Sequence, residues 1–312
     1  MSDDVERPAD PRGTRVRWPG STVSAGGRTL HVARAVSEGA PPAVFVHGLG
    51  GESANWVDLM ELLQGHLDAH AVDLPGHGRS PAPGDGRYDL DAHVAAVEAY
   101  VDHLGAGPVH LFGNSTGGAI GTRLAAQRPD LVRSLTLVSP ALPNPRPVKG
   151  SDPRLAMLLV PGLASVVQRR LERADPEARA RAVIDICFAD PSRIPPHRLR
   201  EAIAEVERRQ KLPWALPAFV GTLRGLVRSY VDRSPRNLWL QAAQVKSPTL
   251  LIYGRRDRLV ALSTATRAAA TFPHNRLLVL DDVGHVAQIE AAPVVAAAVL
   301  ELLAEVGEPL IA

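Results

Sequence analysis

The sequence predicts an α/β fold: a mostly parallel eight-stranded sheet with helices on both faces and a helical segment inserted after the sixth strand. Three observations predict it. Short apolar runs alternate with helix-like stretches up to about residue 143, the alternation stops for roughly a hundred residues of helical pattern, and it then resumes to the end. Buried short strands alternating with helices imply parallel βαβ units covered on both faces.

Taken in order, residues 1–14 are polar and proline-rich and read as a loose tail. From Arg15 to Val36 two extended runs flank Gly26-Gly27, a hairpin turn signal. Strands follow at Ala43–Val46, His70–Val72, Val109–Phe112 and Ser134–Val138, with helices at Ala54–Leu63, Leu90–Leu104 and Thr116–Gln127. Residues 144–245 carry no convincing strand; they are Arg-rich and punctuated by prolines, and are assigned as a cap over a core made of 15–143 and 246–312. The alternation resumes with strands Thr249–Tyr253 and Arg276–Leu280 and helices Ser263–Thr271 and Ala292–Val306.

Composition narrows the class of function. With 35 Lys+Arg against 33 Asp+Glu the net charge is +2, which gives no electrostatic case for nucleic acid. Only three of the cations are lysines, a bias read as codon usage. The single cysteine, Cys187, permits no intrachain disulfide, and its apolar neighbours mark a buried thiol. Met1-Ser2-Asp3-Asp4-Val5-Glu6 is acidic, not basic then apolar, and no apolar run is long enough to span a membrane, so a soluble, cytoplasmic protein is expected. No metal or cofactor is called for, and the oligomeric state is left open.

The strongest chemical signal is Gly113-Asn114-Ser115-Thr116-Gly117-Gly118, a G-x-S-x-G string directly between a strand and a helix. A serine on so sharp a turn needs small flanking residues, which Gly113 and Gly117 supply, while Gly118 and Gly121 let the helix approach the sheet. The turn would expose the Ser115 hydroxyl at the helix N-terminus, where the dipole and the Thr116 N–H favour an oxyanion. A serine needs a general base. His285 follows the last strand in a glycine-containing loop, on the rim where strand C-termini converge. His47 also follows a strand, but Gly48 to Gly51 after it mark a loop-shaping role. Asp257, just past the seventh strand, is the orienting acid, whereas Asp282 is assigned to loop capping. The order Ser115, Asp257, His285 is one of three unrelated triad orders.

With these residues in place, the chain resembles a capped α/β-hydrolase over about residues 15–306. His47-Gly48-Leu49-Gly50-Gly51 resembles the family's oxyanion loop, Asp73-Leu74-Pro75-Gly76-His77-Gly78-Arg79-Ser80 its structural D-x-P-G-x-G-x-S turn, and Gly254–Asp257 and Gly284-His285 with Glu290 and Pro293 its acid and base loops. The resemblance implies that the Leu49 N–H is the partner of the Thr116 N–H in an oxyanion hole. It implies an esterase-like acyl-enzyme route for a small-molecule substrate, because Ser115 stands where dehalogenases and epoxide hydrolases of this fold carry aspartate. A carbon–carbon bond hydrolase of vinylogous diketones shares a Gly-Asn-Ser-x-Gly-Gly elbow, although Val286 stands where those enzymes usually carry an aromatic. A cofactor-free perhydrolase or acyltransferase and a ligand receptor are the other readings.

Around the triad, Asn114 and Trp56 are candidate substrate-binding residues, with Trp56 read equally as a helix anchor. The apolar residues Leu155–Val160, Val166-Val167, Trp214, Leu216, Phe219, Leu223 and Leu226 either line a hydrophobic pocket or pack on one another. Arg169, Arg170, Arg173, Arg179 and Arg181 read as a solvated helix face. Gln288 and Glu290 have no assigned chemistry.

Overall fold

A computed structural model describes residues 18, 20–144, 159–160 and 174–308. The expected tail at 1–14, the apolar runs at Leu155–Leu158 and Val166-Val167, and Arg169, Arg170 and Arg173 lie outside the described residues.

Eight strands form one sheet in the order β1-β2-β4-β3-β5-β6-β7-β8. β1 (Gly20–Ala25) and β2 (Arg28–Ala35) make the hairpin, and Gly26 and Gly27 both adopt positive φ at its turn. β2 pairs antiparallel with β4 (Asp68–Val72). The remaining pairings, among β4, β3 (Pro42–Val46), β5 (Val109–Asn114), β6 (Val132–Val138), β7 (Thr249–Gly254) and β8 (Asn275–Leu280), are parallel.

Two-residue periodicity divides the core. Val44 and Val46 join a layer with Val94 and Val97 of α2 (Leu90–Leu104) and Ile120 and Leu124 of α3 (Thr116–Gln127). Ala43 and Phe45 face the other way, toward Leu59 and Met60 of α1 (Val57–Leu62) and Val295 and Val299 of the C-terminal helix Ala292–Glu305. Helix ends follow local chemistry: the Asp89 side chain accepts from Ala92 N–H to start α2, and Gly105 at φ 60° ends it.

Among the described residues, the chain between β6 and β7 holds helices and turns but no strand. These helices are α4 (Pro176–Cys187), α5 (Pro196–Gln210), α6 (Ala215–Tyr230) and α7 (Leu238–Ala242). Leu238, Trp239 and Ala242 of α7 are buried in the α3 layer of the core. After β7 come α8 (Leu262–Thr271), then β8, a short α9 (Ala287–Glu290) and α10 (Ala292–Glu305). Among the described residues no helix is long and apolar enough to cross a membrane.

One close approach fixes the start of α3 on the sheet. A Cβ on Gly117 would lie 2.1 Å from the Val46 carbonyl oxygen, whereas one on Gly121 would have 3.3 Å to the Leu135 side chain, so the tightest contact is at Gly117. Gly117→Ala is expected to destabilise the protein by about 3 kcal/mol or more, because backbone cannot yield as a side chain can. A melting temperature within about 2 °C of the parent would contradict this.

The turn after β4 is a second anchor. Fully buried Asp73 accepts hydrogen bonds from the Ser53 and Arg79 N–H groups, and its Oδ2 lies 3.0 Å from His31 Nδ1. Burial opposes its ionisation, but these bonds, with His47 nearby, bring its pKa down to about 2. Ser80 closes the turn by donating to the Asp73 carbonyl and accepting from His31 N–H.

Candidate active site

Because β3, β5, β6 and β7 are parallel, the residues that follow their C-termini share one rim of the sheet. Ser115 lies there between the last residue of β5 and the first of α3, at φ 54° and ψ −116°, a conformation that non-glycine residues rarely hold. Three backbone bonds hold it: Ser115 N–H to Val138 O at 3.0 Å, and Ala119 and Ala141 N–H to Ser115 O at 3.1 and 2.8 Å. The side chain sits at the helix N-terminus, and the Thr116 N–H belongs to the first turn, which has no intrahelical acceptor.

Asp257 and His285 meet on the same rim. His285 Nδ1 lies 2.9 Å from Asp257 Oδ2, and both side chains are buried. Asp257 Oδ1 accepts from the N–H groups of Leu259 and Val260 at 2.7 and 2.9 Å. Burial works against the charged carboxylate, but the imidazole and these N–H groups outweigh it and hold its pKa below the ordinary value. In the neutral tautomer whose Nδ1–H donates to Asp257, His285 Nε2 is left as an acceptor. The base loop is tied to the serine turn by Asn114, whose Nδ2 donates to His285 O and Val138 O, both at 3.1 Å. Asn114 is therefore a strut between loops, with its amide protons spent on backbone.

The loop after β3 closes over the serine: a Cβ on Gly48 would lie 3.0 Å from Ser115 Cβ. His47 is fully buried and uses both ring nitrogens on backbone. Nε2 accepts from Leu74 N–H at 3.0 Å, so Nδ1 carries the proton and donates to Gly48 O at 2.7 Å. Burial lowers its pKa, which favours the neutral ring that these two bonds require. Gly48 O also accepts from Gly51 N–H at 3.0 Å. This carbonyl belongs to the same planar peptide as the Leu49 N–H, so fixing one end aims the other away from His47.

Trp56 is the helix anchor of its two readings. It is fully buried, with its ring centroid 5.4 Å from that of Phe45 and 6.4 Å from that of Phe112, so its ring is packed into the core. Asp282 forms an exposed ion pair with Arg256. Cys187 is half-buried as a residue, but its thiol is enclosed, and burial beside Asp257 and Glu290 pushes its pKa up to about 12. Arg181 pairs with Glu177 on the exposed face of α4, while Arg179 is half-buried.

Glu290 has a structural role that the sequence reading lacked. Its carboxylate accepts from Gly284 N–H at 2.7 Å and Ala189 N–H at 2.9 Å, and His285 N–H donates to Cys187 O at 2.7 Å. The base loop is thus pinned to the end of α4. The signal was Glu290 itself at a fixed distance after His285, but its partner lies far away in the chain. Gln288 is fully buried, and among the described residues its amide has no hydrogen-bond partner.

Helix α6 supplies an apolar wall: Val220 and Leu223 cluster with Leu49, Leu216 and Phe219. A second cluster, Ile184, Phe188 and Val286, sits beside the base loop. A separate cavity of about 250 Å³ lies under α5, lined by Glu52, Arg79, Arg198, Glu205 and Arg208 among others; Ser115, Asp257 and His285 are not among its lining residues. In it, burial and the nearby Glu205 carboxylate raise the pKa of Glu52 to about 7.

The family model described as the alpha/beta hydrolase fold matches residues 41–292. The dihydrolipoyllysine-residue acetyltransferase component of the acetoin cleaving system of Pseudomonas putida is 30% identical over 86% of this chain, and the chain spans 64% of that protein's length, under two thirds. The 2-hydroxy-6-oxononadienedioate/2-hydroxy-6-oxononatrienedioate hydrolase of Klebsiella pneumoniae is 27% identical, with 90% of this chain and 94% of that one covered. The crystal structure of a bacterial membrane phospholipase A superposes with a TM-score of 0.76 over 94% of this chain and 88% of that one, at 22% identity, a likeness of fold.

Proposed function

Because the chain belongs to the alpha/beta hydrolase fold family, we propose that it is a serine hydrolase that cleaves a carboxylic ester, with Ser115 as nucleophile, His285 as base and Asp257 as orienting acid. The observation that carries this reading is the buried Asp257–His285 pair tied through Asn114 to the turn that holds Ser115 at φ 54°. Ser115 Oγ attacks the ester carbonyl as His285 Nε2 takes its proton. Asp257 stabilises the imidazolium, and the Leu49 and Thr116 N–H groups receive the oxyanion, each worth about 3 kcal/mol. His285 returns the proton to the leaving alcohol and then activates water, which releases the acid and regenerates Ser115.

The segment expected at 144–245 acts in this reading as a cap, with α7 seated in the core layer. Leu49, Leu216, Phe219, Val220 and Leu223 support a hydrophobic, small to medium substrate. For p-nitrophenyl esters of graded chain length, kcat/KM is expected to rise from acetate by about tenfold or more and to fall again for long chains, since each buried methylene adds about 0.8 kcal/mol. Rates at the buffer background for every ester would overturn the reading.

Carbon–carbon bond hydrolysis is the second reading, favoured by the overall likeness to the Klebsiella pneumoniae hydrolase. Turnover of a dienone-diketone substrate with no ester turnover would replace the first reading by it.

A further inference from the structure

Three glycines, Gly48, Gly50 and Gly51, shape the loop that carries Leu49, and such a loop has many conformations of similar energy unless something outside it restrains it. The Gly48–Leu49 peptide is restrained from within the core by His47. The carbonyls of Gly50 and Gly51 are restrained from α5. Arg209 Nη1 donates to Gly50 O, and Nη2 donates to Gly51 O at 3.2 Å. Its Nε donates to Glu205, a buried carboxylate that also orients Arg208, whose Nη2 donates to Gly78 O. From α6, the Phe219 ring rests against Gly50, where a Cβ would lie 2.9 Å from it.

We infer that Arg209 is a positioning residue for the reaction: by fastening the Gly50 and Gly51 carbonyls to α5, it holds the loop in the shape that presents the Leu49 N–H to Ser115. The inference rests on the proposed hydrolysis at Ser115. Each guanidinium nitrogen donates to a protein acceptor, two of them to the loop and one to Glu205, so Arg209 is held against the loop and acts through it. The guanidinium fork matters because it spans two successive carbonyls, which a point-charge ammonium cannot do. An oxyanion donor displaced by a fraction of an ångström binds the substrate as before but binds the transition state less well.

The test compares Arg209→Met, Arg209→Lys and Arg198→Met with the parent, using one p-nitrophenyl ester and an alkylboronic acid that forms a tetrahedral adduct. Arg198 docks the same helix on Asp58 and on the Ala54 carbonyl, past the oxyanion loop and with no bond to its carbonyls. For Arg209→Met, kcat is expected to fall about 10- to 100-fold with KM within about threefold, and boronate affinity to fall by the same factor as kcat. Arg209→Lys, which keeps the cation and guards against a misfolded methionine variant, is expected to lie between; Arg198→Met is expected to keep kcat within about threefold. Parent-like kcat in Arg209→Met, a rise in KM alone, or an equal loss in Arg198→Met would each overturn the inference. Ester turnover unchanged by Ser115→Ala would sink the hydrolase reading and the inference together, whereas parent-like Arg209→Met beside inactive Ser115→Ala would sink the inference only.

Discussion

Ser115→Ala is expected to lower ester turnover by about 10⁴- to 10⁶-fold while leaving the protein folded. The size of the loss follows from the geometry. Without the hydroxyl, the Asp257–His285 pair has no proton to withdraw and the N–H groups of Leu49 and Thr116 have no tetrahedral oxyanion to receive. The fold should survive because the bonds that hold the turn are made by backbone: Ser115 N–H to Val138 O, and Ser115 O from Ala119 and Ala141. Alanine meets the same left-handed strain as serine at φ 54°, so the substitution adds none. Steady-state hydrolysis of a p-nitrophenyl ester, with circular dichroism and thermal melting of both proteins, checks both halves. Turnover within about tenfold of the parent from a folded alanine variant would remove Ser115 from the reaction.

Asp73→Ala should be the most damaging change to stability away from the reacting groups, at about 3–5 kcal/mol. It strips the acceptor from the Ser53 and Arg79 N–H groups and from His31, all around a fully buried position. The same carboxylate gives a pH signature. Its folded pKa of about 2 lies below the ordinary 3.8, so the native state binds fewer protons than the unfolded chain between those values. The stability it contributes is present above pH 4 and is lost as pH falls toward 2, about 2 kcal/mol in all. Urea midpoints measured from pH 5 to pH 2 should fall more steeply for the parent than for Asp73→Asn, which keeps the shape without the charge. Parallel curves would show that Asp73 carries no such linkage.

The sheet was legible in the sequence because its signals are local. Apolar runs such as Ala43–Val46 and Thr249–Tyr253 need no knowledge of their neighbours, and the helix at Thr116–Gln127 announces itself through the glycine-flanked serine turn. The candidates Ser115, Asp257 and His285 could be picked out for the same reason, since each lies in the loop or turn after a strand, and parallel strands bring such positions to one rim. What could not be read depends on contacts across the long insertion. Glu290 looked inert until Ala189 N–H, about a hundred residues earlier, supplied its partner. The arginines looked like composition, yet Arg198, Arg208 and Arg209 bind core carbonyls that no periodicity identifies as theirs. Trp56 was ambiguous because a bulky residue beside a rim loop can face either the core or the substrate, and only packing against Phe45 decides it.

The placement of β6 beside β7 has a consequence for how this molecule can change over time. These two strands pair from Leu135 opposite Thr249 to Val138 opposite Ile252, although over a hundred residues separate them in the chain. For a span already that long, doubling it would add only about 0.6 kcal/mol of closure entropy. The insertion is therefore nearly free to be lengthened, shortened or exchanged for another, provided that the few carbonyls and N–H groups it secures on the rim are met again. Change can therefore accumulate in that segment while the sheet beneath keeps its register.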